Sequence, residues 1–275
     1  MVKLYILARR VLLDALDALG AHRDAVILVG AQAVYLRTGD ADLAVAPYTT
    51  DGDLVLDPAI LGLTPPLETA LRKAGFSPKS CDSVGAWVTS RPCDEGTPVE
   101  VVVDLLVPAS VSPGKGRRAA RLSGHHPKVA RIVAGLEGAL IDADILTMTA
   151  LESEDSRKFD IRVAGPAALL VAKMHKLNDR KGTDRLSDKD ALDVFRLLRG
   201  TSTEDMCRRM KSLQEDVRSA SAAAEGIRIL RELFGTLDAR GIGLAVRSAG
   251  VLADEKEIAA SCHLLATDLL RALQI

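Results

Sequence analysis

A chain of 275 residues is long enough to form one large domain or two smaller ones. Its formal net charge of −1 gives no overall sign of nucleic-acid binding, and the 3% of aromatic residues leaves little material for base stacking. Hydrophobic residues make up 48% and charged residues 27% of the chain, which is ordinary for a soluble globular protein.

The sequence also carries no sign of a membrane span or of a zinc site. No apolar stretch is both long enough and free enough of charge to cross a bilayer. The four cysteines, Cys81, Cys93, Cys207 and Cys262, show no CxxC spacing, so neither a zinc site nor a redox pair is indicated. We therefore expect a cytoplasmic protein with reduced cysteines and no membrane partner. The sequence leaves its oligomeric state open.

The first half of the chain alternates predicted helices with short strands. Charged residues recur at helical intervals over 3–19, which favours an amphipathic helix over a signal peptide. The segments 32–36 and LETALRKAGF also have helical spacing. Short apolar runs rich in β-branched residues predict strands over 26–29, 53–56, 84–89 and 99–107. Periodicity does not decide whether 136–151 is a hairpin or a helix.

The character of the sequence changes around Gly165 and Pro166, after which nearly every segment has helical spacing. We therefore predict an α+β domain over 1–165 and a mainly helical domain over 166–275. The fold class is a mixed sheet flanked by helices and followed by the helical C-terminal part.

Two acidic residues open the predicted strand that follows Gly30. Asp51 and Asp53 are two apart, so in an extended strand both carboxylates point to the same side, and Gly52 between them keeps the backbone uncrowded. Hard divalent cations such as Mg2+ prefer oxygen ligands of this kind, and Mn2+ is the alternative. The pattern indicates metal-assisted phosphoryl chemistry.

A third acid lies in the strand VEVVVDLLV. Alternation places Glu100 and Asp104 on one face of that strand, and we prefer Asp104 as the third metal ligand. If this strand lies beside the strand of Asp53, three carboxylates would hold two Mg2+ ions, one on a nucleoside triphosphate and one at the attacking hydroxyl. The missing Cβ of Gly30 would let a triphosphate approach the backbone, where amides of the next turn could donate to it.

Basic residues crowd the stretch SPGKGRRAARLSGHHPK, which predicts either a solvated loop or a surface that contacts phosphates or an RNA backbone. The residues that we assign to RNA binding are Lys115, Arg117, Arg118 and Arg121.

The order of a glycine turn, a DxD strand and a later acid-bearing strand resembles the DNA polymerase β-type nucleotidyltransferase superfamily. Residues 173–180, KMHKLNDR, resemble the KxxAxxxR motif of the AbiEii-type (MenT-like) nucleotidyltransferase toxins, and KDALDV at 189–194 resembles the [RK]DxxDL motif that follows it. On a helix, Lys173, Lys176 and Arg180 share one face, which Asp190 and Asp193 on the next helix could orient.

The resemblance implies a function and assigns residues to it. A nucleoside triphosphate would donate a nucleotide to the 3′ end of a tRNA, and a cognate antitoxin protein would restrain the enzyme. The catalytic residues would be Asp51, Asp53, Asp104, Lys173 and Asp190, with the three strand acids as metal ligands. The nucleotide-binding residues would be Gly30, Ala31, Gln32, Lys176, Arg180 and Asp193.

Three departures from the family pattern bear on the nucleotide. Ala31 follows Gly30 where the superfamily usually has serine or glycine, the gap from Gly30 to Asp51 is long, and Lys176 replaces the small residue of KxxAxxxR. Two other functions stay open: nucleotidyl transfer to a small molecule such as an aminoglycoside, and a catalytically silent protein that binds a nucleotide or a partner. Without the resemblance, the cluster at Lys173 would be read as surface ion pairs between two helices.

Overall fold

This computed structural model describes residues 2–39, 49–92, 98–112, 118–181, 188–250 and 254–274. The chain forms two compact units. The first consists of Met1–Ala33, Pro47–Val133 and Ala143–Val163, and the second consists of Val34–Ala46, Ala134–Asp142 and Ala164–Ile275. The division of the sequence at residues 165 and 166 into two domains stays a prediction.

The first unit is built on an eight-stranded mixed sheet, as the sequence predicted. Helix α1 lies against the sheet, next to strands β2 and β5. The elements up to the last strand are α1 (Val2–Ala18), β1 (Val26–Val29), α2 (Gly30–Thr38), β2 (Asp51–Leu56), α3 (Leu67–Lys73), β3 (Ser77–Pro78), β4 (Ala86–Pro92), β5 (Pro98–Pro108), β6 (Arg131–Val133), β7 (Ala143–Thr149) and β8 (Lys158–Ala164).

The order of strands places β2 between β5 and β1. The sheet runs β3-β4-β5-β2-β1-β8-β7, and β6 pairs with β5 outside this path. Strand β2 is antiparallel to β1 and parallel to β5, and β6 is also parallel to β5. Along β5 the side chains of Val101, Val103 and Leu105 are buried, whereas Glu100 is exposed and Asp104 is half-buried. The predicted alternation of this strand is therefore confirmed.

The segment that periodicity left undecided is neither a helix nor a hairpin. It begins with a short 3-10 helix, Glu137–Leu140, and continues as strand β7. Strand β8 was not predicted from the sequence, although its pattern alternates, with Phe159, Ile161 and Val163 buried. Strand β6 has only three residues, which is too short for a period-2 pattern to be recognised.

The second unit contains the helices that follow β8, as the sequence predicted. They are α4 (Pro166–Asp179), α5 (Asp188–Gly200), α6 (Thr203–Glu215), α7 (Ala220–Phe234), α8 (Arg240–Ala249) and α9 (Glu255–Ala272). Pro166 opens α4, where its missing N–H costs nothing. The buried carboxylate of Asp142 then accepts hydrogen bonds from the amides of Ala167 and Ala168, at 3.1 and 3.0 Å. Among the described residues, no helix has the length and hydropathy that a membrane crossing requires.

Candidate functional site

The turn between β1 and α2 is shaped by the carboxylate of Asp53. Strand β1 ends at Val29, which pairs with Asp53 in the antiparallel register of β2. Gly30 follows with a φ of +70°, a conformation that favours glycine. A Cβ on Gly30 would lie 2.1 Å from Oδ2 of Asp53. The space above this turn is therefore filled by the carboxylate, and only a glycine allows it to lie there.

Asp104 lies directly opposite Asp53 on the neighbouring parallel strand. The register pairs Asp53 with Asp104 and Asp51 with Val102. Glu100 lies beyond the start of β2, so its backbone faces only Ser90 of β4. The condition for a shared carboxylate site, that the strand of Asp104 lies beside that of Asp53, is met. The same register favours Asp104 over Glu100.

Neighbouring protein groups contact the carboxylates of Asp51 and Asp104. Nη2 of Arg131 lies 3.1 Å from Oδ2 of Asp104. The hydroxyl of the buried Thr49 donates a hydrogen bond to Oδ1 of Asp51. Among the residues that the structure describes, no three His, Cys, Asp or Glu side chains are grouped so that they could hold a metal ion as they stand. The oxygen donors suit a hard cation, and Oδ2 is the oxygen of Asp104 that Arg131 contacts.

A cavity of about 450 Å³ opens beside these strands and has walls of both charges. Its acidic side chains are Asp51, Glu100 and Asp104, and its basic side chains are Lys79, Arg118 and Arg131. Neither Lys79 nor Arg131 was a candidate in the sequence, because neither belongs to a recognisable motif. Acids that could bind a cation and bases that could bind phosphate oxygens thus share one cavity.

The predicted nucleotide contacts at the start of α2 are mostly buried. The side chain of Gln32 is 1% exposed, and its Oε1 accepts a hydrogen bond of 2.9 Å from Nε of Arg9. Arg9 also donates to the carbonyl of Thr149 and to the hydroxyl of Tyr5. Burial lowers the pKa of Arg9, and the interaction with Tyr5, to whose hydroxyl Arg9 donates, acts in the opposite direction. Gln32 therefore anchors the helix to α1, and Ala31 is buried beside it.

The second cluster of predicted residues lies in the helical unit and is a buried ion network. Nζ of Lys173 on α4 lies 2.8 Å from Oδ1 of Asp190 and 2.6 Å from Oδ2 of Asp193, both on α5. The exposures of the three residues are only 3, 3 and 1%. Both acids that could orient the Lys173 face thus contact its ammonium group.

Asp190 is the centre of this network, because two further cations reach it. Nζ of Lys176 lies 3.2 Å from Oδ1 of Asp190, and Nη1 of Arg180 lies 2.6 Å from Oδ2. Burial alone would raise the pKa of Asp190, but Lys173, Lys176 and Arg180 outweigh it and lower that pKa. Burial alone would likewise lower the pKa of Lys173, but Asp193 and Asp190 raise it. Asp190 and Lys173 are therefore both charged at neutral pH.

The predicted RNA-binding segment divides into parts with different neighbours. Lys115 and Arg117 lie outside the described residues. Arg118 and Arg121 are both exposed, and of the two only Arg118 lines the cavity beside Asp51 and Asp104. His125 packs onto the loop before α3, where its Nδ1 accepts a hydrogen bond from the amide of Leu67.

No protein-family model and no curated protein matches the sequence. Among solved structures, the chain is similar to an antigenic nucleotidyltransferase-like protein from Paracoccidioides brasiliensis. The sequence identity is 16% over 82% of this chain and 93% of that chain, with a TM-score of 0.43. A likeness at this level assigns neither a family nor an activity to the chain. The resemblance of its motifs to the toxin family stays a prediction.

Proposed function

We propose that the protein is a metal-dependent nucleotidyltransferase, which transfers a nucleoside monophosphate from a nucleoside triphosphate to an acceptor. The observation that carries the proposal is the placement of Asp53. Its carboxylate lies over Gly30 at the end of β1, opposite Asp104 on the next strand. Asp51 and Asp104 then face a cavity that also holds three basic side chains.

Asp51, Asp53 and Asp104 would hold Mg2+ or Mn2+, which would neutralise charge that develops on the phosphate oxygens during transfer. The protein's own residues do the remaining work. Thr49 fixes Asp51 through its hydroxyl, Gly30 leaves room for Asp53, and the basic wall of the cavity orients the phosphates. The nucleotide would meet Gly30, Ala31 and Gln32 through their backbone amides, because the side chains of Ala31 and Gln32 are buried.

The ion network of the helical unit would contribute cations that bind the substrate. Lys173 is enclosed by Asp190 and Asp193, so we assign to Lys173 and Asp193 the positioning of Asp190. Lys176, whose side chain is 44% exposed, and Arg180, at 24%, are the members that a substrate can reach. Asp190 would hold these two cations in place for a phosphate-bearing substrate.

The acceptor in this proposal is the 3′ end of a tRNA, and the biological role is that of a toxin restrained by an antitoxin protein. Both come from the motif resemblance at 173–180 and 189–194. The basic segment with Lys115, Arg117, Arg118 and Arg121 would contact the RNA backbone. A position of Arg118 in the wall of the cavity supports that assignment.

A second candidate is a catalytically silent protein that keeps the fold for binding. The ion pair of Arg131 with Asp104 favours it, because a protein cation can relieve the repulsion between neighbouring carboxylates without a metal. A small-molecule acceptor is a third candidate, favoured by the additional acid Glu100 in the cavity wall.

The test is incubation of the protein with total tRNA, Mg2+ and each labelled nucleoside triphosphate in turn. We expect label in tRNA with at least one nucleotide and none with the Asp53→Ala protein. Asp160→Ala is the matched control, since Asp160 is an exposed acid on β8 of the same sheet. Label in tRNA from the Asp53→Ala protein would contradict the proposal. Metal-dependent nucleotide binding without labelled tRNA would point to a small-molecule acceptor. The absence of both labelled tRNA and nucleotide binding would point to the silent protein.

A further inference from the structure

The basic wall of the cavity contains an arginine whose backbone is held very close to Asp104. Arg131 opens β6, where the register pairs it with Leu106, two residues after Asp104. Gly85 makes this approach possible, because a Cβ there would lie 2.5 Å from the carbonyl oxygen of Leu105 and 2.6 Å from the amide nitrogen of Arg131. The φ of Gly85 is +74°, which also favours glycine.

Backbone pairing with β6 holds Arg118 next to Arg131. Its carbonyl accepts a hydrogen bond of 2.9 Å from the amide of Ile132, and its neighbour Ala119 forms an antiparallel bridge with Arg131. The two arginines thus come from adjacent pieces of backbone and line one cavity with Asp51 and Asp104. Their arrangement is built into the sheet, although they are far apart in the sequence.

The guanidinium of Arg131 has capacity for a further acceptor. Nη2 donates to Oδ2 of Asp104 at 3.1 Å, and Nε is buried with no hydrogen-bond partner among the described residues. An unsatisfied buried donor is costly, and a guanidinium matches the oxygens of a phosphate with two parallel hydrogen bonds. The side chain is 30% exposed, so a ligand in the cavity can reach it.

We propose that Arg131 and Arg118 form a phosphate-binding wall, and that Asp104 holds Arg131 only while no phosphate is bound. Phosphate oxygens take the place of the Asp104 carboxylate on the guanidinium, which leaves that carboxylate available to a cation. The phosphate site rests on the cavity alone, whereas its assignment to the donor nucleotide rests on the proposed function. Its ligand is either the polyphosphate of a nucleotide or the phosphodiester backbone of an acceptor.

Competition between Asp104 and phosphate for Arg131 predicts an effect that a site binding only a metal would not show. A carboxylate that competes for Arg131 weakens phosphate binding when no metal is present. Removing that carboxylate should therefore strengthen metal-free phosphate binding, both by releasing Arg131 and by removing negative charge from the cavity. Removing Arg131 should have the opposite effect.

The experiment is calorimetric titration of the full chain with inorganic tripolyphosphate, in the presence of a chelator. We expect Arg131→Gln to weaken binding by about tenfold or more, which is the effect of one lost charged hydrogen bond. Asp104→Asn should bind severalfold more tightly than the wild type. The control Arg271→Gln removes the same charge from a side chain that is 76% exposed at the end of α9, and it should bind like the wild type.

The proposal is overturned if the wild type does not bind tripolyphosphate, if Arg131→Gln binds like Arg271→Gln, or if Asp104→Asn binds no more tightly than the wild type. A parallel titration with a single-stranded oligonucleotide that lacks terminal phosphates separates the two ligands. A loss with tripolyphosphate alone assigns the wall to the donor, and a loss with both ligands shows that the acceptor's backbone also binds there. A normal tripolyphosphate response in a protein that labels no tRNA would contradict nucleotidyl transfer to tRNA and would leave the phosphate site supported.

Discussion

The ionic cluster of the helical unit and that of the sheet unit differ in how deeply their side chains are buried. In the helical unit, Lys173 is buried between Asp190 and Asp193, and each of these carboxylates has a cation within 3 Å. In the sheet unit, Asp51 and Asp104 are half-buried and line a cavity, and Arg131 reaches Asp104 through one nitrogen. A buried cluster of paired charges holds structure together, whereas half-buried charges that line a cavity are suited to a ligand.

The largest expected effect on stability comes from opening the buried cluster. Lys173→Met leaves two buried carboxylates without their shared cation and should cost about 3–5 kcal/mol of unfolding free energy. Lys176→Met makes the same chemical change one helical turn away, at a side chain that is 44% exposed, and should cost about 0–1 kcal/mol. Urea unfolding of both variants measures the difference. Equal costs would show that burial does not separate the roles of these lysines.

A pair of glycine substitutions tests the position of Asp53 in the sheet unit. Gly30 and Gly39 lie near the two ends of α2 with φ values of +70° and +56°, so alanine costs about 1–2 kcal/mol at either position through its backbone. Only at Gly30 would the new methyl group meet Asp53, since nothing lies within 4 Å of a Cβ on Gly39. We expect Gly30→Ala to lose nucleotidyl transfer and Gly39→Ala to retain it, as measured by label incorporated into tRNA. Similar activity in the two variants would mean that the position of Asp53 is not critical.

A smaller, pH-dependent effect is expected at His125, which hydrogen-bonds to backbone groups of Leu67 and Gly62 and has His22 and Glu68 as ionisable neighbours. Burial lowers the pKa of His125 from its ordinary 6.5, against the raising effect of its hydrogen bond to the carbonyl of Gly62. Because the unfolded chain takes up the proton at a higher pH than the folded one, stability should fall as the pH drops below about 6.5. Titration of the ring by NMR checks the pKa directly, and a value at or above 6.5 would contradict the prediction. Thermal unfolding of His125→Asn should depend less on pH over the same range.

The sequence predicted the acidic half of the candidate site but, of its basic half, only Arg118. Gly30, Asp53 and Asp104 lie in or next to short strands whose alternation is visible, so the pattern itself places them on one side of the sheet. Arg131 reaches Asp104 from 27 positions away, through a three-residue strand that follows a segment with no periodic pattern. Arg9 reaches Gln32 across 23 positions. Contacts of this kind depend on tertiary pairing, which local spacing does not encode.

Mn2+ titration of the wild type and of Asp53→Asn tests most directly whether the open carboxylates form the metal site. We expect the wild type to bind Mn2+ and Asp53→Asn to lose that binding, with unfolding in urea unchanged. Asp160→Asn, the exposed acid on β8, should bind as the wild type does. Undiminished Mn2+ binding by Asp53→Asn would contradict the assignment of the metal to this site.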